Sequence, residues 1–350
     1  MRLQRSGRGA KLIRYEVVGL LYTRTCPLSC AHCIIESSPK ATGKMSKEVA
    51  ERYLQVIPKY SDTVCFTGGE PFLYFHEVLE LTKLATTLGL RTTMVSGAGW
   101  VRVEKKEITR ERVHLLKEAG LDSLCISWDD YHEEWSPREQ AILLAQLANE
   151  AGIKVSVRSV VPATCTYQRQ EKIFDGIPIQ YQPVRLIRLG SAKTLPREQF
   201  FLSDALPRGR CSIVLSPAIE PDGNVYACCG PGRYSLRPSP LILGNTNQED
   251  LDTIFARSVE DPIIEALNLV GPYGLYQILK DTPELKRHFH ARQEYSSICE
   301  LCLDLCDTPE LVAALRERMH SNNAKALLVA AQLWYSENQR RQSCGHALPN

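Results

Sequence analysis

The chain has 350 residues, 44% apolar and 23% charged, which is enough to bury a large core and ordinary for a soluble globular protein. Lys and Arg number 42 against 40 Asp and Glu, a formal charge of +2, which argues against a nucleic-acid or membrane-surface binder because either needs a basic stripe. No stretch approaches membrane-spanning length, and the short apolar run behind the basic start lacks a signal-peptide cleavage site, so the expected setting is cytoplasmic, with no nucleic-acid or membrane partner.

The first predicted strand, "VVGLLYT" (17–23), runs straight into "TRTCPLSCAHCII", where Cys26, Cys30 and Cys33 fall within eight residues. A helix-like segment opened by Ser46 follows, then the strand "TVCFTG" (63–68), which ends in Gly68, Gly69 and Glu70. "FHEVLELTKLATTLG", "TRERVHLLKEAG" and "PREQAILLAQLANEAG" read as helices stopped by Gly89, Gly120 and Gly152. Between and after them lie the strands 91–97, 123–129, 154–161 and 184–190. Such alternation predicts a parallel sheet with crossover helices; six units fit an α/β fold with a partial (β/α)6 TIM-like barrel better than a closed eight-fold one, and a doubly wound sheet is the alternative.

After Ala192 the chain becomes Pro-rich and turn-rich, which puts a boundary near residue 200. "EPDGNVYACC" reads as a hairpin turning at Asp222-Gly223. The stretch beyond 306 reads as one or two helices, so the expected divisions are 14–200, 201–306 and 307–350.

Thirteen cysteines, odd in number and clustered, point away from a disulfide framework and toward metal or redox chemistry. The clusters are Cys26/Cys30/Cys33, Cys211 with Cys228 and Cys229, and Cys299/Cys302/Cys306. Cys65 and Cys125 lie in apolar strand runs and are expected to be buried small hydrophobes, while Cys165 and Cys344 carry no supporting context. Asp129, Asp130 and His132 have two readings, polar groups at the barrel mouth or an exposed acidic loop, and the second is favoured. In an extended chain neighbouring side chains point to opposite sides, so Cys228 and Cys229 are expected to face different surroundings. Thiolate sulfur favours iron–sulfur or zinc sites, and three cysteines on a four-iron cluster leave one iron open.

The C-x3-C-x2-C loop after a first barrel strand resembles the radical S-adenosylmethionine (SAM) superfamily. The resemblance implies a [4Fe–4S] cluster on Cys26, Cys30 and Cys33, with SAM on the open iron as a cosubstrate cleaved to a 5′-deoxyadenosyl radical. It further implies SAM contacts from His32, from Gly68, Gly69 and Glu70, from Ser96 and Ser127, and from Arg158 and Gly190. Cys211, Gly223 and Cys228 match the opening of the accessory region of SPASM and Twitch enzymes, which implies a small Twitch-like region with a second [4Fe–4S] cluster. Its implied ligands are Cys211, Cys228, Cys299 and Cys302, with Cys306 as substitute; a four-cysteine zinc site is the alternative.

"CAHCIIESSP", "CISWDDYHEEW", "PDGNVYACCGP" and "SSICELC" also resemble radical SAM epimerases that convert L- to D-residues in ribosomally made peptides. In that group the second cysteine of the pair donates a hydrogen atom, which carries over to Cys229. The implied partners are a precursor peptide and an electron donor such as flavodoxin or ferredoxin. A crosslinking peptide maturase, forming thioether or carbon–carbon bonds, is the alternative within radical chemistry. An iron–sulfur electron carrier or zinc scaffold is the alternative outside it.

Overall fold

The computed structural model describes residues 14–228, 230–235 and 238–343. In chain order the first half runs β1 (Val18–Thr23), α1 (Lys47–Val56), β2 (Thr63–Gly68), α2 (Phe75–Thr87), β3 (Arg91–Ser96), α3 (Lys106–Glu118), β4 (Leu121–Ser127), α4 (Arg138–Glu150), β5 (Lys154–Val161), α5 (Tyr167–Glu171) and β6 (Gln180–Arg185). These six strands pair in parallel in sequence order, the partial barrel expected from the strand–helix alternation. Ser46 caps α1 by accepting the Val49 N–H at 3.3 Å.

Register divides the sheet into two kinds of row. Leu20, Phe66, Met94, Leu124 and Val155 are Cα partners across five strands and are buried with the helices in one apolar core. Each such side chain contributes roughly 1.5–3 kcal/mol by leaving water. The alternate rows carry small and polar residues: Cys65, Thr93 and Ser123 in one, Ser127, Arg158 and Gln182 in another. They line the inner face of the partial barrel. Cys65 and Cys125 sit here and are only half-buried, contrary to the expectation of buried hydrophobes, because strand alternation turns them away from the helices.

The last barrel strand also departs from expectation. It is Gln180–Arg185, so of the expected run 184–190 only the first two residues are in the sheet, and the rest leads into a 3₁₀ turn at Gly190–Thr194. As an edge strand it is largely exposed and carries Pro183, so it lacks the apolar alternation by which the others are recognised.

The chain then returns to the opposite edge. β7 (Ala218–Ile219) pairs in parallel with β1, and β8 (Asn224–Tyr226) and β9 (Ile242–Asn245) follow antiparallel, extending the sheet to nine strands. The β7–β8 hairpin turns at Asp222-Gly223, with Gly223 at φ +82°. Five further helices complete the described chain up to the C-terminal one: α6 (Leu251–Ser258), α7 (Pro262–Leu279), α8 (Pro283–His288), α9 (Ile298–Cys306) and α10 (Pro309–Arg318). The C-terminal helix is α11 (Asn322–Ser343), so the stretch beyond 306 forms two helices. One sheet thus spans the boundary expected near residue 200. No helix among the described residues is long and apolar enough to cross a membrane.

Candidate active site

The cysteine loop leaves β1 at its C-terminal end, the face where barrels of βα units carry chemistry. Cys26 is buried, and Cys30 and Cys33 are half-buried. Backbone amides approach two of the sulfurs: Leu28 N–H donates to Cys26 Sγ (3.5 Å) and Ser37 N–H to Cys33 Sγ (3.4 Å). Burial pushes the Cys26 and Cys33 thiols up, and neighbouring thiols add to the rise.

The Gly-Gly-Glu segment meets this loop directly. Gly69 N–H donates to Thr23 O (2.6 Å) and Glu70 N–H to Thr25 O (3.0 Å), and a Cβ on Gly69 would collide with the Thr25 carbonyl. Gly190, at φ +63°, packs as closely against the Cys33 carbonyl, and Ser191 N–H donates to that oxygen at 3.0 Å. These glycines therefore let the ends of the second and sixth barrel units grip the backbone of the cysteine loop.

Three residues expected to face SAM have partners of their own. The Glu70 carboxylate is fully buried and accepts from Phe72 N–H (3.2 Å), Ser96 Oγ–H (2.9 Å) and Gly97 N–H (3.0 Å). Burial pushes it up to about 7, against those hydrogen bonds. Ser96 also accepts from Trp100 Nε1–H at 3.0 Å, so Glu70 and Ser96 bind the ends of β2 and β3 together instead of opening outward. His32 stacks on Tyr131 with ring centroids 4.8 Å apart, and its Nε2 lies 3.1 Å from Asp129 Oδ2. Ser127 and Arg158 are paired in register on the inner face, and Arg158 is exposed, with Nη2 3.3 Å from Gln182 Oε1.

The Asp129–His132 segment is not an exposed acidic loop. Asp129 and His132 are 0% and 5% exposed, while Asp130 is exposed and pairs with Arg169. "WDDYH" follows β4 in a turn in which His132 N–H donates to Asp129 O at 2.9 Å. The turn folds the first Asp inward and leaves the second outside. Two Asp in succession carry no sequence signal for which one is buried.

The second group of cysteines is drawn from separate elements. Cys211 precedes the 3₁₀ turn Ser212–Leu215, Cys228 follows β8, and Cys299 and Cys302 lie on one face of α9. Burial pushes the Cys299 thiol well up, reinforced by Cys228, Cys211 and Cys302 beside it, so the four are brought together. Gly232 N–H donates to Cys228 Sγ at 3.1 Å. Cys306, one helical turn beyond Cys302, is fully buried and hydrogen-bonds with Cys302. Cys229 and Cys344 lie outside the described residues.

Ion pairs that sequence reasoning missed tie the two cysteine systems together. Arg24, next to the cysteine loop, and Arg233 both pair with Glu220 of the hairpin, and Arg24 also reaches Asp222 at 2.8 Å. Arg233 Nη1–H and Tyr234 O–H donate to the carbonyls of Ile35 (2.9 Å) and Ile34 (2.5 Å). On the other side, buried Glu300 of α9 accepts from Arg188 Nε–H at 3.1 Å, just before Gly190. Charged residues give no local cue to such distant partners.

Residues 20–175 match the Radical SAM superfamily model, a family that uses a [4Fe–4S] cluster and SAM. The chain is 26% identical over 313 residues to "Putative peptide biosynthesis protein YydG" of Bacillus subtilis (strain 168), covering 85% of this chain and 94% of that protein. It is 29% identical over 152 residues to "PqqA peptide cyclase" of Rhizobium meliloti (strain 1021), covering 39% of this chain and 37% of that one. Among solved structures, Streptococcus suis SuiB bound to S-adenosylmethionine has a similar fold, with a TM-score of 0.50 and 15% identity over 73% of this chain and 68% of that one.

Proposed function

We propose that this protein is a radical SAM enzyme that modifies a ribosomally made precursor peptide, and that the modification is conversion of an L-residue to a D-residue. The observation that carries the peptide substrate is the match to a peptide biosynthesis protein along 94% of that protein's length.

The residues suit the cofactors. Three sulfurs on one desolvated loop, two of them receiving backbone N–H groups, suit a cluster that bears negative charge on its thiolates. Nδ1 of His32, buried without a protein partner, leaves an unmet polar atom beside the loop. Cys26, Cys30 and Cys33 would hold the first cluster, and Cys211, Cys228, Cys299 and Cys302 a second. When bound, the first cluster and SAM supply a 5′-deoxyadenosyl radical able to take hydrogen from carbon.

The chain's own residues do the rest. Arg158 and Ser127 offer a charge and a hydroxyl on the inner face for SAM, while Gly69 and Gly190 fasten the loop from two sides. Thr93, Ser123 and Ser156 present small hydroxyls beside them, suited to a peptide backbone. Cys229, directly after a proposed ligand, returns a hydrogen atom to the opposite face of the planar Cα radical; a thiol S–H is weak enough to give it up. A flavodoxin or ferredoxin would deliver two electrons per turnover, one for SAM cleavage and one that, with a proton, returns the Cys229 thiyl to the thiol.

Reaction of the reduced protein with SAM and peptide in deuterated water tests this. Inversion by an exchangeable thiol places one deuterium at Cα with composition otherwise unchanged. Loss of two hydrogens would instead indicate the crosslinking reading, which the similarity to a peptide cyclase favours. Cys229→Ala is expected to cleave SAM yet form no D-residue, and normal D-residue formation by that variant would refute the donor assignment.

A further inference from the structure

A cleft of about 640 Å³ lies between the chain leaving the sixth barrel strand and the C-terminal helices. No cysteine lines it, yet its lining borders both cysteine systems. Arg188 and Lys193 flank Gly190, which packs on the Cys33 carbonyl. Tyr234 donates its O–H to Ile34 O at 2.5 Å, one residue after Cys33. From the other side come Leu303 and Asp304 of α9, which follow Cys302 along that helix.

The charges inside the cleft are compensated. Arg188 Nε–H (3.1 Å) and Arg292 Nη1–H (3.3 Å) both donate to buried Glu300, and Arg292 also holds Asp304 through bonds of 2.9 and 2.6 Å. The rim differs. From Lys286 to Arg292, "KRHFHAR", every ionisable side chain is basic, in a chain whose formal charge is only +2. Lys286, Arg287 and His290 are exposed, and with half-buried His288 they form no ion pair among the described residues. Glu284, just before this row, lies in the first turn of α8. Lys193 is exposed across the cleft, with its Nζ 4.4 Å from the Tyr234 ring centroid. Buried Leu285, and Phe289 packed on Tyr276 at 5.4 Å, anchor the row from beneath while its cations stand in water. Such a row attracts an oppositely charged partner and speeds its encounter.

We propose that this cleft and its basic rim dock an acidic electron-carrier protein that reduces the chain's iron–sulfur clusters. The inference rests on the reading that the cysteines hold such clusters and that a carrier reduces them. On docking, the carrier gives up one electron and a cluster takes it up, with no bond made or broken. An acidic stretch of the substrate peptide fits less well, because no lining residue lies on a barrel strand, and the peptide is placed on the inner face of those strands. Electron-transfer encounters are small and depend on charge, as this surface does.

The test compares two reductants of the reconstituted full chain: pre-reduced acidic flavodoxin, and titanium(III) citrate, a small reductant that needs no docking surface. Formation of 5′-deoxyadenosine is the readout. In the Lys286→Glu/Arg287→Glu/His290→Glu variant, the flavodoxin concentration giving half the maximal rate is expected to rise about tenfold at low salt. The titanium-driven rate and the peptide KM should not change. Added salt should slow the flavodoxin-driven wild type and leave its titanium-driven rate alone. Lys193→Glu should act in the same direction, and it leaves α8 intact should the triple variant fail to fold. An unchanged flavodoxin dependence in the triple variant, or in Lys193→Glu where the triple does not fold, overturns the assignment. Equal loss with both reductants overturns it too, as does a wild type driven by titanium but not by flavodoxin. A raised peptide KM with unchanged flavodoxin dependence would give the cleft to the peptide instead. A wild type that takes up iron but cleaves no SAM with titanium would sink the radical reading. Flavodoxin affinity by calorimetry, weakened in the variant or unchanged, would then still decide the docking.

Discussion

Cys26, Cys30 and Cys33 reach one another along a single loop, whereas Cys211, Cys228, Cys299 and Cys302 arrive from a 3₁₀ turn, a strand end and a helix. The first set needs little loop closure and is gripped locally by Gly69 and Gly190. The second exists only when the C-terminal helices are packed. The two systems should therefore fail differently.

The largest effect is expected from replacing Cys26, Cys30 and Cys33 together with Ala. The variant should form no 5′-deoxyadenosine while keeping the iron of the second set, as measured by chromatography and iron analysis; loss of all iron would show that the systems assemble as one.

The reciprocal break is Gly271→Ala. Gly271 sits at φ +67° in a kink of α7 before Pro272, and a Cβ there would collide with the Gly209 carbonyl, two residues before Cys211. Backbone strain alone costs about 1–3 kcal/mol, and the collision adds to it. Iron loss from the second set with the SAM-responsive signal retained is the expected outcome.

Glu70 sharpens the comparison through pH. Its carboxyl keeps a proton up to about 7 when folded, against about 4.5 ordinarily. Between those values the folded state binds more protons than the unfolded chain, so stability falls as pH rises through that window, by up to about 3 kcal/mol. Urea unfolding across that range should show the fall in the wild type and a flatter profile in Glu70→Gln.

The smallest effect concerns the tether between the systems. Glu220→Ala leaves the Arg24 and Arg233 guanidiniums without their buried partner and should cost roughly 1.5–3 kcal/mol in urea unfolding. SAM cleavage should weaken less than in the cysteine triple variant. Unchanged stability would mean that the hairpin and the loop are held by backbone pairing with β1 alone.

Much of the barrel was legible because its strands and helices announce themselves locally. Strands such as Thr63–Gly68 and Lys154–Val161 coincide with their apolar runs, and Gly89, Gly120 and Gly152, all with positive φ, end their helices. Gln180–Arg185 was not, since an exposed edge strand buries too little to leave a pattern. Helices α6 to α8 carried no motif to draw attention, although the Leu267 carbonyl of α7 accepts the Cys211 N–H at 3.1 Å.

By itself the sequence determined the three-cysteine loop, its place after the first strand, and the glycines and carboxylate at the end of the second. Those are spacings of a few residues, which any fold with this local order preserves. Only the tertiary structure decided that Glu70 and Ser96 face each other, that Cys65 and Cys125 line the inner face, and that Asp129 is buried between two histidines while Asp130 is not. Burial and pairing of this kind depend on which distant segments share a low-dielectric interior, and that follows from packing of the whole chain rather than from neighbouring residues.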